Sequence, residues 1–159
     1  MKNAGFSLVE LVTVIFIISV LVALSTIGFS NWTVKHNVER QTKELVSDIQ
    51  DLRLRSIHSK KRHVMTLMPN SYTFRKYSSE SEAVAGTVVF SKPLKYQIKK
   101  IDGSSVAGIT IEVDERGFTN DWISLWVDSK NDSAAYDCAI VSVGRTNIGK
   151  KKGSSCDPK

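Results

Sequence analysis

The chain changes its rhythm of apolar and polar positions twice. From Leu11 to Val34 it carries no charged residue, and the next charge is Lys35. That run is apolar on every side rather than along one stripe, as in a helix surrounded by lipid or by other helices. At 1.5 Å per residue, residues 6–28 span about 35 Å, enough to cross a hydrocarbon core of about 30 Å. One acid breaks the pattern near its start, Glu10.

From 29 to 60 the pattern becomes one-sided. Val38, Leu45, Val46, Ile49, Leu52 and Ile57 recur at three- and four-residue steps, with Glu39, Lys43, Asp48, Asp51 and Arg55 elsewhere. There is no proline before Pro69 and no glycine between Gly28 and Gly86. The spacing therefore predicts one long helix whose second half lays its stripe on a head. Ile27-Gly28 is the weakest point of that helix, since glycine costs about 1 kcal/mol relative to alanine.

Beyond Lys61 the period shortens to that of β-structure. Short β-branched or aromatic segments stand at 63–68, 71–77, 86–91, 94–99, 108–113, 121–127 and 138–144. Turn signals separate them: Pro69-Asn70, Ser78 to Glu82, Ser91-Lys92-Pro93, Asp102-Gly103, Asp114 to Gly117 and Asp128 to Asp132. The expectation is an α+β protein, with a long helix packed on an antiparallel sheet or sandwich over residues 61–159. No internal repeat stands out.

Composition narrows the class. A chain of 159 residues allows one domain plus an anchor. A net charge of +6 fits contact with anionic lipid, nucleic acid or a polyanionic surface, and selects none of them. Lys2 is the only basic residue ahead of the apolar run, and no A-x-A site follows it. That argues against a cleaved secretory signal and places the N-terminus in the cytoplasm, with the bulk of the chain outside. The two cysteines, Cys138 and Cys156, have no CxxC spacing and no neighbouring histidine, which suits one disulfide in an exported domain. Two free thiols are the alternative. The loop closed by such a bond would contribute about 3 kcal/mol.

Signs of catalysis are missing from the sequence. His36, His58 and His63 are scattered, and there is no HExxH, GxSxG, P-loop or GxGxxG. Asp128, Asp132 and Asp137 are interrupted by Lys130 and lack a calcium-loop spacing, so they read as polar turn residues. No cofactor or metal is expected. Trp122 and Trp126 fall four apart in an expected strand, on one face, which points to a core or subunit-contact role.

The stretch "AGFSLVELVTVIFIISVLVAL" resembles the N-terminus of type IV pilins and of the pilin-like subunits of type II secretion systems. The resemblance implies that residues 1–5 are a leader and that a prepilin peptidase cuts after Gly5. Phe6 would then carry a new, N-methylated amine, and Glu10 would stand four residues on. An acid in the membrane core costs about 2.5–3.5 kcal/mol. A neighbouring subunit's amine at Phe6 can pair with Glu10 in the low-dielectric bundle, so the assembly relieves what the single chain cannot. The plain alternative is a carboxylate close enough to the surface to stay hydrated.

The segments "ELVSDIQDLRLRSIHSKKRHVMTLMPNSYTFRKY" and "GITIEVDERGFTNDWISLWV…CAIVSVGRTNIGKKKGSSC" resemble GspH/FimT-type minor pilins. The implied function is that of a minor pilin which initiates or caps a type IV pilus. The alternative is a GspH-like pseudopilin of a type II secretion system. Implied partners are other pilins, the inner-membrane assembly platform, the peptidase, and lipid before assembly. The implied location is the bacterial inner membrane with the head in the periplasm, and then the pilus or pseudopilus. Some FimT-like pilins take up DNA through a glycine-arginine motif. Gly144 and Arg145 match it, Asn147 replaces its second arginine, and Lys150, Lys151 and Lys152 add positive charge. The plain reading of that segment is a solvated basic tail or a subunit contact.

Overall fold

The computed structural model describes residues 7–78, 86–129 and 133–159, with the side chains of residues 24–28 left undescribed. Helix α1 spans Leu8–Ser59. The chain divides into two compact units, Met1–Val34 and Lys35–Lys159.

Among the described residues of the first unit, most apolar side chains are exposed. Leu8, Val9, Leu11, Val12, Ile15 and Phe16 are all more than half exposed. Hydroxyls turn back onto their own helix: Thr13 donates to the Glu10 carbonyl at 2.9 Å and Ser19 to that of Phe16 at 2.7 Å. Thr33 does the same with Phe29 at 2.8 Å. A polar group satisfied within its own helix places no demand on a surrounding apolar phase.

The second unit packs the rest of α1 on two antiparallel sheets. Strands β1 (His63–Met68), β2 (Ser71–Lys76), β3 (Thr87–Pro93) and β5 (Ile109–Val113) form the first, in the order β3-β2-β1-β5. Strands β4 (Gln97–Lys100), β6 (Ile123–Asp128), β7 (Cys138–Val141), β8 (Thr146–Lys152) and β9 (Ser155–Pro158) form the second, in the order β4-β6-β7-β8-β9. The architecture is α+β and pilin-like, as expected. Val38, Leu45, Ile49 and Leu52 are fully buried, in a core that also holds Met65, Phe74, Ile111 and Leu125. Each such side chain contributes about 1.5–3 kcal/mol by leaving water.

Three details depart from the sequence reading. Ile57 is 41% exposed, and the buried stripe continues through Arg53 and Ser56 instead. The drift follows from 3.6 residues per turn, which carries position 57 past the edge of the face. The segment expected at 94–99 pairs only over Gln97–Lys100, because the chain first turns where Gln41 holds its backbone. Finally, β8 and β9 were not anticipated. The basic terminus is an edge hairpin, closed by Gly153 and Ser154 between the paired residues Lys152 and Ser155. Gly153 takes φ +59, the conformation that such two-residue turns ask of glycine.

Candidate functional site

Two regions carry the residues singled out by sequence. The first is the start of α1. Glu10 lies in its first turn, where the helix dipole favours an acid, with Leu8, Val9, Leu11 and Val12 exposed around it. Gly5, Phe6, the leader 1–5 and the cut after Gly5 lie outside the described residues. Among the described residues no helix is long and apolar enough to cross a membrane.

The second region is the terminal hairpin. Cys138 and Cys156 form a disulfide with Cα atoms 6.1 Å apart. It joins β7 to β9 and so passes over β8, the strand between them. Trp126, Cys138, Gly149 and Pro158 are successive cross-strand partners. A Cβ at Gly149 would meet the Cys156 sulfur at 2.9 Å and the Asp157 carbonyl oxygen closer still. A glycine there leaves room for both the β9 backbone and the bridge.

The basic residues do not form one patch. Arg145 is exposed in the turn before β8, where Ser142 N–H donates to its carbonyl at 2.9 Å. Lys150, Lys151 and Lys152 stand at the far end of the strand, about 20 Å away at 3.4 Å per residue. Lys150 donates to the buried Asp137 at 2.7 Å, whose other oxygen accepts the Lys151 N–H at 2.7 Å. The Lys151 ammonium lies 3.9 Å above the Trp126 ring. Lys152 pairs with Asp157 at 2.7 Å. The terminus is therefore no free tail, since each lysine is engaged within the sheet.

Against known proteins, the decisive stretch is the N-terminal one. Residues 1–26 match the prokaryotic N-terminal methylation motif. That motif marks a type IV prepilin-like protein, a class that is cut by prepilin peptidase, assembles with other pilins and is anchored in membranes. No curated protein matches the chain, and no solved structure does.

Other candidates are placed apart in this prepilin-like chain. Asp128 pairs with Lys99 at 2.7 Å and Asp137 with Lys150, while Lys130 and Asp132 lie outside the described residues. Among the described residues no group of three or more His, Cys, Asp or Glu is placed to hold a metal. His63 is buried, with Nδ1 at 2.9 Å from the Lys61 carbonyl and 3.2 Å from the Ser56 hydroxyl. Burial lowers its pKa, and Lys76 and Arg55 act in the same direction. Trp122 lies just before β6 and is 77% exposed, so it is no core residue.

Sequence reasoning missed the polar clamps between helix and sheets. Arg53, buried, donates to the carbonyls of Gly117 at 2.9 Å, Val143 at 2.7 Å and Ser142 at 2.5 Å. Desolvation lowers its pKa. Gln41 accepts the N–H groups of Lys95 and Tyr96 and donates to the Tyr96 carbonyl. The Tyr72 hydroxyl donates to Asp48, which also takes Lys92 at 3.0 Å. Burial, and then Asp48, push the Tyr72 pKa well up. For Lys92, burial pulls the pKa down, but Asp48 and Glu44 together outweigh it and raise it. The signals in the sequence are Gln41 and Arg53, polar residues at positions where the stripe should be apolar.

Proposed function

We propose that this chain is a minor, low-abundance pilin of a type IV pilus, a non-enzymatic subunit that helps initiate or cap the filament. The observation that carries the reading is Glu10, the one charge between Leu8 and Val34, in an exposed apolar run within the methylation motif. Cleavage after Gly5 and methylation of Phe6 prepare the amine, and a neighbouring subunit's Phe6 amine pairs with Glu10 during assembly. Lipid covers the helix beforehand, and the helices of other pilins cover it afterwards. Deletion with complementation tests this, scored separately for piliation, protein secretion and transformation. Loss of piliation alone supports the pilus subunit. Loss of secretion alone supports the second reading, a GspH-like pseudopilin. If all three survive, the assembly reading fails.

The disulfide favours the pilus over the secretion system. The bridge ties the last strand down, a feature that GspH-like secretion subunits need not carry. A DNA-uptake role through Arg145, Lys150, Lys151 and Lys152 has less support, because the lysines are already engaged and Arg145 stands apart.

A further inference from the structure

Trp122 is the most exposed aromatic residue among those described in the head, at 77%, and the fold goes to some length to present it. The residue before it, Asp121, accepts the Glu112 N–H at 2.8 Å and the Thr119 hydroxyl at 3.1 Å. Thr119 is itself buried, and its N–H donates to the Val143 carbonyl at 3.0 Å. A turn pinned from three sides thus holds the indole out into solvent.

The indole borders an open trough of about 350 Å³ where the two sheets meet, between the end of β4 and the starts of β5 and β6. That size lies at the lower end of small-molecule sites. Lys100, Asp102, Thr110, Asp121 and Ser124 contribute to its lining, over an isoleucine floor. The 101–104 side of the trough is also held by hydrogen bonds. Asp102 accepts the Ser104 N–H at 2.8 Å, Gly103 N–H donates to the Lys100 carbonyl at 2.9 Å, and Ile101 N–H donates to the Ser124 carbonyl at 2.9 Å. Such a site needs little ordering when a ligand arrives.

We propose that this trough is a carbohydrate site that takes one or two neutral pyranose rings from a glycan. A pyranose has a flat face of C–H groups and a rim of hydroxyls. The C–H face suits the exposed indole, whose π-surface is electron-rich. The rim suits carboxylates, which accept hydroxyl protons in charge-assisted bonds. The Asp102 carboxylate is held ionised by its bond from Ser104, which draws its pKa down. Lys100, Thr110 and Ser124 offer donors for the ring and hydroxyl oxygens. Two carboxylates against one ammonium repel phosphates, nucleic acid and acidic sugars. The polar rim and open form disfavour a lipid tail.

The test uses the full chain in a zwitterionic detergent, because glycoside detergents would compete. Methyl glucoside, methyl galactoside, N-acetylglucosamine, their disaccharides and an N-acetylneuraminic acid glycoside are titrated in turn. With Trp32→Phe and Trp126→Phe in place, Trp122 is the sole fluorescent reporter. At least one neutral sugar is expected to give a saturable change with a Kd of about 1 mM or tighter. Saturation-transfer NMR on the sugar signals then reads the variants. Trp122→Ala is expected to weaken binding at least about thirtyfold, and Asp102→Asn about tenfold. Both positions are on the surface, and an unchanged melting profile verifies the fold. The proposal is overturned if no neutral sugar binds, if Trp122→Ala binds as before, or if the acidic sugar binds best. It is also overturned if Trp122→Ala blocks filament incorporation while no sugar binds, since Trp122 would then be a subunit contact.

Discussion

Residues 8–34 and the unit from Lys35 onward handle polarity in opposite ways. The first exposes leucine, valine, isoleucine and phenylalanine on all sides and keeps one charged group, Glu10. The second brings many of its ionic and polar groups to partners of its own: Arg53 to three carbonyls, Asp48 to Tyr72 and Lys92, Asp137 to Lys150. The contrast separates two kinds of work. Unmet demand, in apolar area and in charge, drives association with lipid or other helices. Demand that is met internally fixes one arrangement of strands and leaves the surface to recognition.

The largest expected effect removes the acid in the apolar run, Glu10. Glu10→Val should insert into membranes as well as or better than the parent, yet fall out of sheared filaments a hundredfold or more. Breaking a buried pair costs about 3–5 kcal/mol, which converts to that range. Immunoblots of membrane and sheared fractions measure both sides, and normal incorporation of the variant would remove the pairing argument. Its counterpart in the head is Arg53→Met, which keeps the apolar stem and loses the donors. Three carbonyls then lose the guanidinium, of which Val143 keeps a second donor in the Thr119 N–H, and the head should lose about 3 kcal/mol in chemical denaturation. A loss near zero would mean that water replaces the guanidinium, and the contrast between the two units would weaken.

Next in size is the terminal hairpin. Cys138→Ser with Cys156→Ser should cost about 3 kcal/mol. Gly149→Ala should cost about 1–3 kcal/mol with the disulfide formed, through overpacking against the Cys156 sulfur and β9. In the cysteine-free background the same glycine change should cost less. An equal cost in both would show that the bridge does not require the glycine.

Smaller still is a pH effect centred on His63. Its pKa in the folded state is below the ordinary 6.5, so the unfolded chain binds the proton first. Stability is then fully present above pH 6.5 and declines as the pH falls below it. The groups around the ring are Ser56, Lys61, Lys76, Arg55 and Asp51. Thermal melts from pH 5 to 8 should show this slope, and His63→Asn should flatten it. At the bottom of the scale, Lys152→Ala should leave the melting profile unchanged, because an exposed pair such as Lys152–Asp157 is screened by solvent.

Much of this molecule is written in local periodicity. The uncovered apolar run, Glu10 within it, the buried stripe of Val38, Leu45, Ile49 and Leu52, and strands such as 63–68 follow from near-neighbour patterns. Those patterns encode element type because a helix or strand repeats every few residues. Partners far apart in sequence are another matter. Arg53 meets carbonyls 64 and 90 residues away, and no spacing rule announces them. The lysines read as a basic run until β8 pairs with β7 and places Asp137 and Trp126 beside them. Trp122 read as one of two strand tryptophans until the Thr119–Asp121 turn set it at the rim of a trough. Local sequence thus determined which segments are helix and strand, and that one helix half cannot satisfy itself alone. Tertiary packing decided which charges are already paired and which side chains remain available, because only the closed fold brings distant donors and acceptors within hydrogen-bond distance.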